Sequence, residues 1–416
     1  MFLQEIRLRN FRCFDDLTIS FVQDDGGIRK WTILLGENGS GKSNLLKGIA
    51  LITAGSDALP ELLGAPDEWI QYRKQFCELE AVMVTKGEKE RQIKLRINRG
   101  DGPSDVILRN QESLRQLDAT IEHSQRNYFV VGYGATRHLS PERNLRGEGK
   151  RSATARARNV VTLFDPDALL APLESWAMDL DYRKNRAGVD TVRKVLTSFL
   201  REVSFSRIDK QKKQLLFKTR YGIVPMHMLS DGYQNMASWV GDLLYRVSET
   251  FDDYKTPLKA RGLLLIDEID LHLHLKWQRE LLRFVNQRLP NLQLIVTTHS
   301  PITAQQAGKG ELHHLERVGK KIRLEVFDGV PKSLLLHQLV MSDLFGLESD
   351  ESVETETKKK AFRRLRDKGK LSPAEEKKLQ SLTDELDGLP SIQRSHSVLD
   401  DEQTELLRRI ERELKE

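Results

Sequence analysis

Cysteine is nearly absent from this chain. Cys13 and Cys77 are the only two in 416 residues, which excludes a disulfide framework and makes a reducing, cytoplasmic setting the expectation. No stretch of about 18 apolar residues occurs, so no helix is expected to cross a membrane. The opening residues, MFLQEIRLRNFRCF, alternate charged and apolar positions and lack the continuous apolar core of a secretion signal. A long heptad run is also missing, which excludes a long coiled-coil arm, and no internal repeat is visible. Charge of one sign is not in strong excess: 66 Lys and Arg stand against 61 Asp and Glu, a net +5. That surplus mildly favours polyanionic partners, or is spread too thinly to mean anything specific.

What is present is 39% hydrophobic and 31% charged residues, the balance of a soluble globular protein, in a length that suits one large unit or two to three smaller ones. FLQEIRLR (2–9) alternates as a half-buried strand does, and LTISF (17–21) reads as its hairpin partner. WTILLGENGSGKSNLLKGIALI sets a buried strand, a glycine loop and an apolar helix in succession. Residues 77–86, 90–97 and 104–109 read as strands, and YFVVGYG (128–134) as another buried one; residues 140–160, basic and rich in turn formers, read as a mobile loop. Apolar spacing of three and four predicts two helices between about 164 and 203, followed by three short strands near 204–227. GLLLID (262–267) and LQLIVTTHS (292–300) are buried strands on either side of the amphipathic helix LKWQRELLRFVNQRL. Strands alternating with helices predict an α/β protein with a parallel sheet covered on both faces. From residue 351 on, 15 Lys and Arg balance 16 Asp and Glu in 66 residues. There Ser372-Pro373-Ala374-Glu375 is a capping box that starts a helix, and the last fifteen residues also read as helical.

The chemistry concentrates at Gly36-Glu-Asn-Gly39-Ser-Gly41-Lys42-Ser43, which fits the phosphate-loop pattern G-x-x-x-x-G-K-[ST] in full. Glycines let backbone N–H groups turn toward phosphate oxygens where side chains would block approach. The residues expected to hold ATP are Asn38, Gly39, Ser40, Gly41, Lys42, Ser43 and Asn44, with Lys42 reaching the β- and γ-phosphates and Ser43 ligating Mg2+. Asp267 and Glu268 follow an apolar strand. Asp267 suits the same Mg2+, and Glu268 suits a general base for the attacking water. His299, at the tip of the next strand, is expected at the γ-phosphate.

Taken in order, NFRCF, GENGSGKS, LSDGYQN, LLLIDEIDLHLHLKWQ and VTTHSP resemble the ATP-binding-cassette (ABC) ATPases of the structural-maintenance-of-chromosomes, RecF and overcoming-lysogenization-defect group. The likeness covers roughly residues 1–55 and 220–335. It implies an α/β, ABC-type P-loop ATPase head, a mixed sheet flanked by helices with an antiparallel β subdomain, plus a short helical insertion and a C-terminal helical tail. The expected parts are an N-terminal lobe (1–137), a basic loop with helical and small-sheet insertion (138–228), a C-terminal lobe with signature, Walker B and switch histidine (229–335), and a charged tail for partner binding or oligomerisation (336–416). By the same resemblance LSDGY is the signature turn, so Ser230 and the N–H of Gly232 meet the γ-phosphate held by a second subunit. Asp270 matches the loop that communicates across that interface. The group's usual glutamine is missing where this chain reads GYGATRHL. Either Arg137 or the backbone of Gly132–Gly134 takes over its contact with the γ-phosphate or the Mg2+ water, or Arg137 is a purely structural arginine. His272 and His274 belong to the motif and are expected to be structural, with no zinc.

The short insertion at 138–228 departs from chromosome-maintenance ATPases, which place long coiled coils there, and no nuclease module is expected after residue 335. The remaining pattern resembles the Septu-type and retron-associated ATPases of bacterial anti-phage systems. That likeness implies an ATPase that dimerises or assembles further around ATP and regulates a separately encoded nuclease, commonly of the HNH type. Arg143, Arg146, Lys150, Arg151, Arg156 and Arg158 form a basic stretch suited to nucleic-acid phosphates, to an acidic partner, or simply to water. A RecF-type DNA-maintenance ATPase and a slowly hydrolysing ATP-dependent scaffold are the competing functions.

Overall fold

Alternation at the N-terminus has a structural cause. In β1 (Phe2–Phe11) the side chains of Leu3, Ile6, Leu8 and Phe11 are buried while their neighbours are not, with a register shift between Leu3 and Glu5. The structure, a computed structural model, describes residues 2–84, 90–123, 129–137, 154–200, 202–251, 257–319, 321–347, 349, 351–368 and 371–387. Two units divide the chain, Met1–Leu339 and Val340–Glu416.

In the first unit β1 pairs antiparallel with β2 (Phe14–Ser20). Then β3 (Trp31–Gly36), buried at every position, leads through the glycine loop into α1 (Lys42–Thr53), and a short α2 (Leu59–Leu62) follows. Strands β4 (Phe76–Val84) and β5 (Glu90–Asn98) complete an antiparallel sheet of order β2-β1-β4-β5. Residues 104–109, expected as a strand, lie in α3 (Pro103–Arg109) instead. The reason is local: Pro103 opens the helix and the Asp105 carboxylate accepts the Gly102 N–H at 2.9 Å, a start signal that outweighs the β-branched content of the segment. After α4 (Gln111–His123) and β6 (Val130–Tyr133), much of the expected basic loop falls outside the described residues. Its end corrects the loop expectation, because α5 (Ala155–Val160) is a helix capped by Thr154 Oγ1, which accepts the Ala157 N–H at 3.2 Å.

The two helices expected before residue 203 are one, α6 (Leu173–Phe199); its middle, DYRKNRAGVD, contains no proline to interrupt it. A three-stranded sheet of β7 (Ser204–Asp209), β8 (Gln214–Thr219) and β9 (Gly222–Pro225) precedes the signature helix α7 (Asp231–Thr250). Then come β10 (Gly262–Ile266), α8 (Leu275–Arg288), β11 (Leu292–Thr297), α9 (Pro301–Gln305), β12 (Leu312–Val318), β13 (Lys321–Val326) and α10 (Leu336–Val340).

The main sheet has the order β13-β12-β3-β11-β10-β6, parallel throughout except for the antiparallel edge β13. Parallel strands end on one side, so the loops after β3, β6, β10 and β11 converge there, and ligands of open α/β sheets bind at such strand ends. One apolar core joins the antiparallel sheet, α1 and the main sheet, through residues such as Leu8, Leu79, Leu46, Ile49, Leu265 and Ile295. Burying side chains of this kind stabilises by about 1.5–3 kcal/mol each. In the second unit, α11 (Val353–Arg366) and α12 (Pro373–Asp387) are joined by Lys358, which reaches Glu385 at 2.8 Å. Ser372 and Glu375 form the expected capping box at the start of α12. The last fifteen residues lie outside the described part.

Candidate nucleotide site

The glycine loop spans residues 36–41 between a buried strand and a helix start. Gly41 sits at φ +95°, and a Cβ there would lie 2.6 Å from Cys13 Sγ, so only glycine fits the turn. Cys13 closes this side of the loop and accepts from Asn44 Nδ2 at 3.6 Å. Ser40 is 2% exposed, and its Oγ has no hydrogen-bond partner among the described residues, an arrangement that buried hydroxyls rarely adopt without a ligand or water. Lys42 Nζ lies back over the loop, donating to Gly36 O at 2.8 Å and Glu37 O at 3.0 Å. Burial lowers the pKa of its ammonium, and the charges of Asp267 and Glu268 oppose that shift. Asn38 and Gly39 form the exposed lip of the loop.

Opposite the loop, Ser43 Oγ donates to Asp267 Oδ2 at 2.6 Å. The other carboxylate oxygen of Asp267 accepts from Thr297 Oγ1 at 2.5 Å, and that same hydroxyl accepts the Glu268 N–H at 2.7 Å. Glu268 is held at φ +50°, a left-handed conformation uncommon outside glycine and concentrated at functional sites. Next along, buried Asp270 accepts from Thr298 Oγ1 and Thr303 Oγ1, each at 2.7 Å. Its carboxylate therefore braces the turn that carries His299, within its own protomer. Ser300 caps α9 by accepting the Thr303 N–H at 3.3 Å, with Pro301 as the first helical residue. His299 is exposed at the rim. Partial burial, then the charge of Lys42, lowers its pKa, while Glu268, Asp270 and Asp267 pull the other way. Lys42, Ser43, Asp267, Glu268 and His299 thus gather at one side of the sheet, as the sequence pattern expects.

Arg137 is held by protein groups. Its side chain is buried, donating from Nε to Gly134 O at 3.0 Å, from Nη1 to Asn235 Oδ1 at 3.1 Å, and from Nη2 to the carbonyls of Asp267 and Glu268, the latter at 2.8 Å. Burial pushes its pKa down to about 10, against the field of Asp267, Asp270 and Glu268. This guanidinium is anchored to protein carbonyls beneath the carboxylate turn.

The turn at the start of α7 opens onto a cleft of about 1060 Å3 lined by Ser230, Gly232, Tyr233, His272, Lys276 and Trp277 among others; none of the described residues lining it belongs to 36–44. Ser230 is exposed and its hydroxyl does not cap α7. A Cβ on Gly232 would stand 2.8 Å from His272 O, so glycine lets the start of α7 rest on the turn that follows Glu268. His274 Nδ1 accepts the Lys276 N–H at 3.3 Å and caps α8, a structural role. Of the basic stretch, Arg143, Arg146, Lys150 and Arg151 lie outside the described residues. Arg156 is paired with Asp57 at 3.2 Å and Asp118 at 3.1 Å, and Arg158 is exposed on α5. Sequence reasoning missed Thr297, Thr298 and Asn235. Their signal was available for the threonines: two hydroxyls at the end of an otherwise apolar buried strand must find partners.

Residues 78–304 match the family model described as "AAA domain, putative AbiEii toxin, Type IV TA system", more than half of the chain. The chain belongs to this AAA family. Residues 1–130 also match the family described as "AAA ATPase domain". Among relatives of this AAA protein, "Septu protein PtuA" from Bacillus mycoides is 29% identical over 313 residues, 75% of the chain and 40% of that relative. "Retron Ec83 probable ATPase" from Escherichia coli is 32% identical over 120 residues, 29% of the chain and 22% of the relative. The AAA chain therefore spans less than half of the length of either. The "SMC head domain from Thermotoga maritima" aligns with a TM-score of 0.42 at 14% identity, over 79% of the chain and all of that structure.

Proposed function

We propose that this chain binds and hydrolyses ATP, and that two heads close on the nucleotide, each offering its Ser230–Gly232 turn to the other's phosphate loop. The observation that carries the reading is the meeting of Lys42, Ser43, Asp267, Glu268 and His299 at the ends of adjacent parallel strands, beside a loop whose buried Ser40 hydroxyl lacks a partner among the described residues. Lys42 leaves its two carbonyls to hold the β- and γ-phosphates, with the N–H groups of residues 38–44 around them. Ser43 and Asp267 supply the oxygen pair for Mg2+, whose chemistry is to neutralise charge on the phosphate oxygens. Glu268 takes a proton from water as its oxygen bonds to the γ-phosphorus; the bond to the bridging oxygen breaks and ADP leaves with that electron pair. His299 donates to the γ-phosphate from the open side, while Asp270 holds its turn. Arg137 acts through protein groups and has no phosphate contact in this reading.

In functional terms, residues 1–137 and 229–335 contribute the two halves of the site, 138–228 is the insertion, and 336–416 serves assembly. The Septu and retron relatives support a place in a defence complex; there the chain would regulate a separately encoded nuclease, and exposed Arg158 with its basic neighbours would meet nucleic acid. Phosphate release with ATP and Mg2+ tests the enzymatic part: turnover is expected in the wild type and absent in Lys42→Ala, and equal rates in both would sink it. Affinity purification from cells carrying the native genomic neighbours, followed by mass spectrometry, is expected to recover a nuclease. Recovery of none removes the partner proposal.

A further inference from the structure

Arg137 stands where a phosphate-sensing glutamine is expected, and its buried guanidinium is held by a network of protein acceptors. Its acceptors belong to three segments: Gly134 after β6, Asn235 near the start of α7, and the Asp267 and Glu268 carbonyls after β10. None of these acceptors is a carboxylate, so the buried cation works as a fork that orients main-chain dipoles rather than as half of an ion pair. The Glu268 peptide is gripped from both sides, with Thr297 Oγ1 accepting its N–H at 2.7 Å and Arg137 donating to its carbonyl at 2.8 Å. That double grip holds the residue at its left-handed φ of +50°.

Asn235 carries the connection onward. While its Oδ1 accepts from Arg137, its Nδ2 donates to Leu271 O at 3.4 Å, in the turn just past Glu268. Asn235 lies a little over one helical turn beyond Ser230, and Gly232 in between rests against His272 O. Farther along α7, Tyr133 at the end of β6 donates to Asp242 at 2.9 Å, so the helix is fastened to the β6 loop at two levels. Whatever displaces the N-terminus of α7 therefore displaces Arg137 and the peptide it holds.

We propose that Arg137, with Asn235, is a positioning device that makes the signature helix and the Glu268 turn one mechanical unit, so that a second protomer's nucleotide docking on Ser230 and Gly232 sets Glu268 for hydrolysis. This rests on the ATPase reading above and adds the route by which the two half-sites communicate. The route is local and contiguous, through the side chains of Asn235 and Arg137, and needs no movement of the phosphate loop.

Arg137→Lys, Arg137→Met, Asn235→Ala and the pair Arg137→Lys with Asn235→Ala test it. ATP affinity is read with a fluorescent analogue, turnover by phosphate release across protein concentrations, and folding by thermal melting. The arginine variants are expected to keep ATP affinity within about three-fold while kcat falls about 100-fold, with Lys rescuing little because it lacks the fork. Asn235→Ala is expected to abolish the rise of turnover with protein concentration, and the double variant to be no slower than Arg137→Lys alone. If the arginine variants do not fold, Asn235→Ala decides by itself: a retained concentration dependence overturns the proposal. Independent, additive losses in the double variant also overturn it, and leave the ATPase reading standing. A folded wild type that shows no turnover removes that reading and this inference together.

Discussion

Ser43 Oγ and Asp267 Oδ2 lie 2.6 Å apart across 224 residues of sequence, which ties the first turn of α1 to the end of β10. Both oxygens suit a hard divalent cation, and each is already held in place, Ser43 by its helix and Asp267 by Thr297 at 2.5 Å. Ser43→Ala removes one oxygen and leaves the other oriented. The Mg2+ concentration giving half-maximal turnover is expected to rise at least about ten-fold. An unchanged Mg2+ titration would show that Ser43 does not ligate the ion.

Glu268→Gln keeps the shape of the turn and takes away the proton acceptor. Turnover is expected to fall by roughly 10²–10⁴, with ATP affinity retained, in single-turnover and equilibrium-binding experiments. A variant within a factor of about three of the wild type places the general base elsewhere.

Thr297 is a structural joint of the site. Thr297→Val preserves volume but strands a buried carboxylate oxygen and the Glu268 N–H together. A loss of about 1–3 kcal/mol in stability is expected from urea unfolding, accompanied by a lowered kcat. Full stability with full activity would mean that water replaces the hydroxyl without consequence.

Acid sensitivity has an identifiable source away from the nucleotide. His313 on β12 is 1% exposed, and burial, then the charge of Arg29 with Nη1 3.4 Å from its Nε2, pushes its pKa down to about 4. Above the ordinary histidine value of about 6.5 neither the folded nor the unfolded chain holds the proton. Between there and about 4 only the unfolded chain does, so this contribution to stability is complete above about pH 6.5 and is lost as pH falls. The loss is about 2 kcal/mol at pH 5 and about 3 kcal/mol near pH 4. Urea midpoints at pH 7.5 and 5.0 for the wild type and His313→Gln check it: the variant is expected to lose less stability between the two, by about 2 kcal/mol. Equal losses would assign the acid sensitivity to other groups.

Much of this arrangement was legible in the sequence because its signals are short and local. The phosphate loop, the apolar strands ending in Asp267 and His299, and the Ser372–Glu375 capping box each declare themselves within a few residues. The misread pieces show where local pattern fails. VILR in 104–109 has strand-like content, but Gly102, Pro103 and Asp105 start a helix over it. Continuity of α6 depended on the absence of a breaker, which periodicity counts do not register. Arg137 stood out as a stand-in for the missing glutamine, yet its surroundings depend on Asn235 and the Asp267 and Glu268 carbonyls, 98 to 131 residues away. No local pattern marks the pairing of β6 with β10 that brings that loop under the carboxylates.

In the proposed assembly ATP lies between two copies, the phosphate loop of one against the Ser230 turn of the other. Sedimentation velocity of Glu268→Gln, with and without ATP and Mg2+, measures this most directly, with the Glu268→Gln, Ser230→Arg double variant as control. A dimer is expected only when nucleotide is present, and a monomer throughout for the double variant. A species of unchanged mass with and without ATP, or a nucleotide-dependent dimer that survives Ser230→Arg, would contradict it.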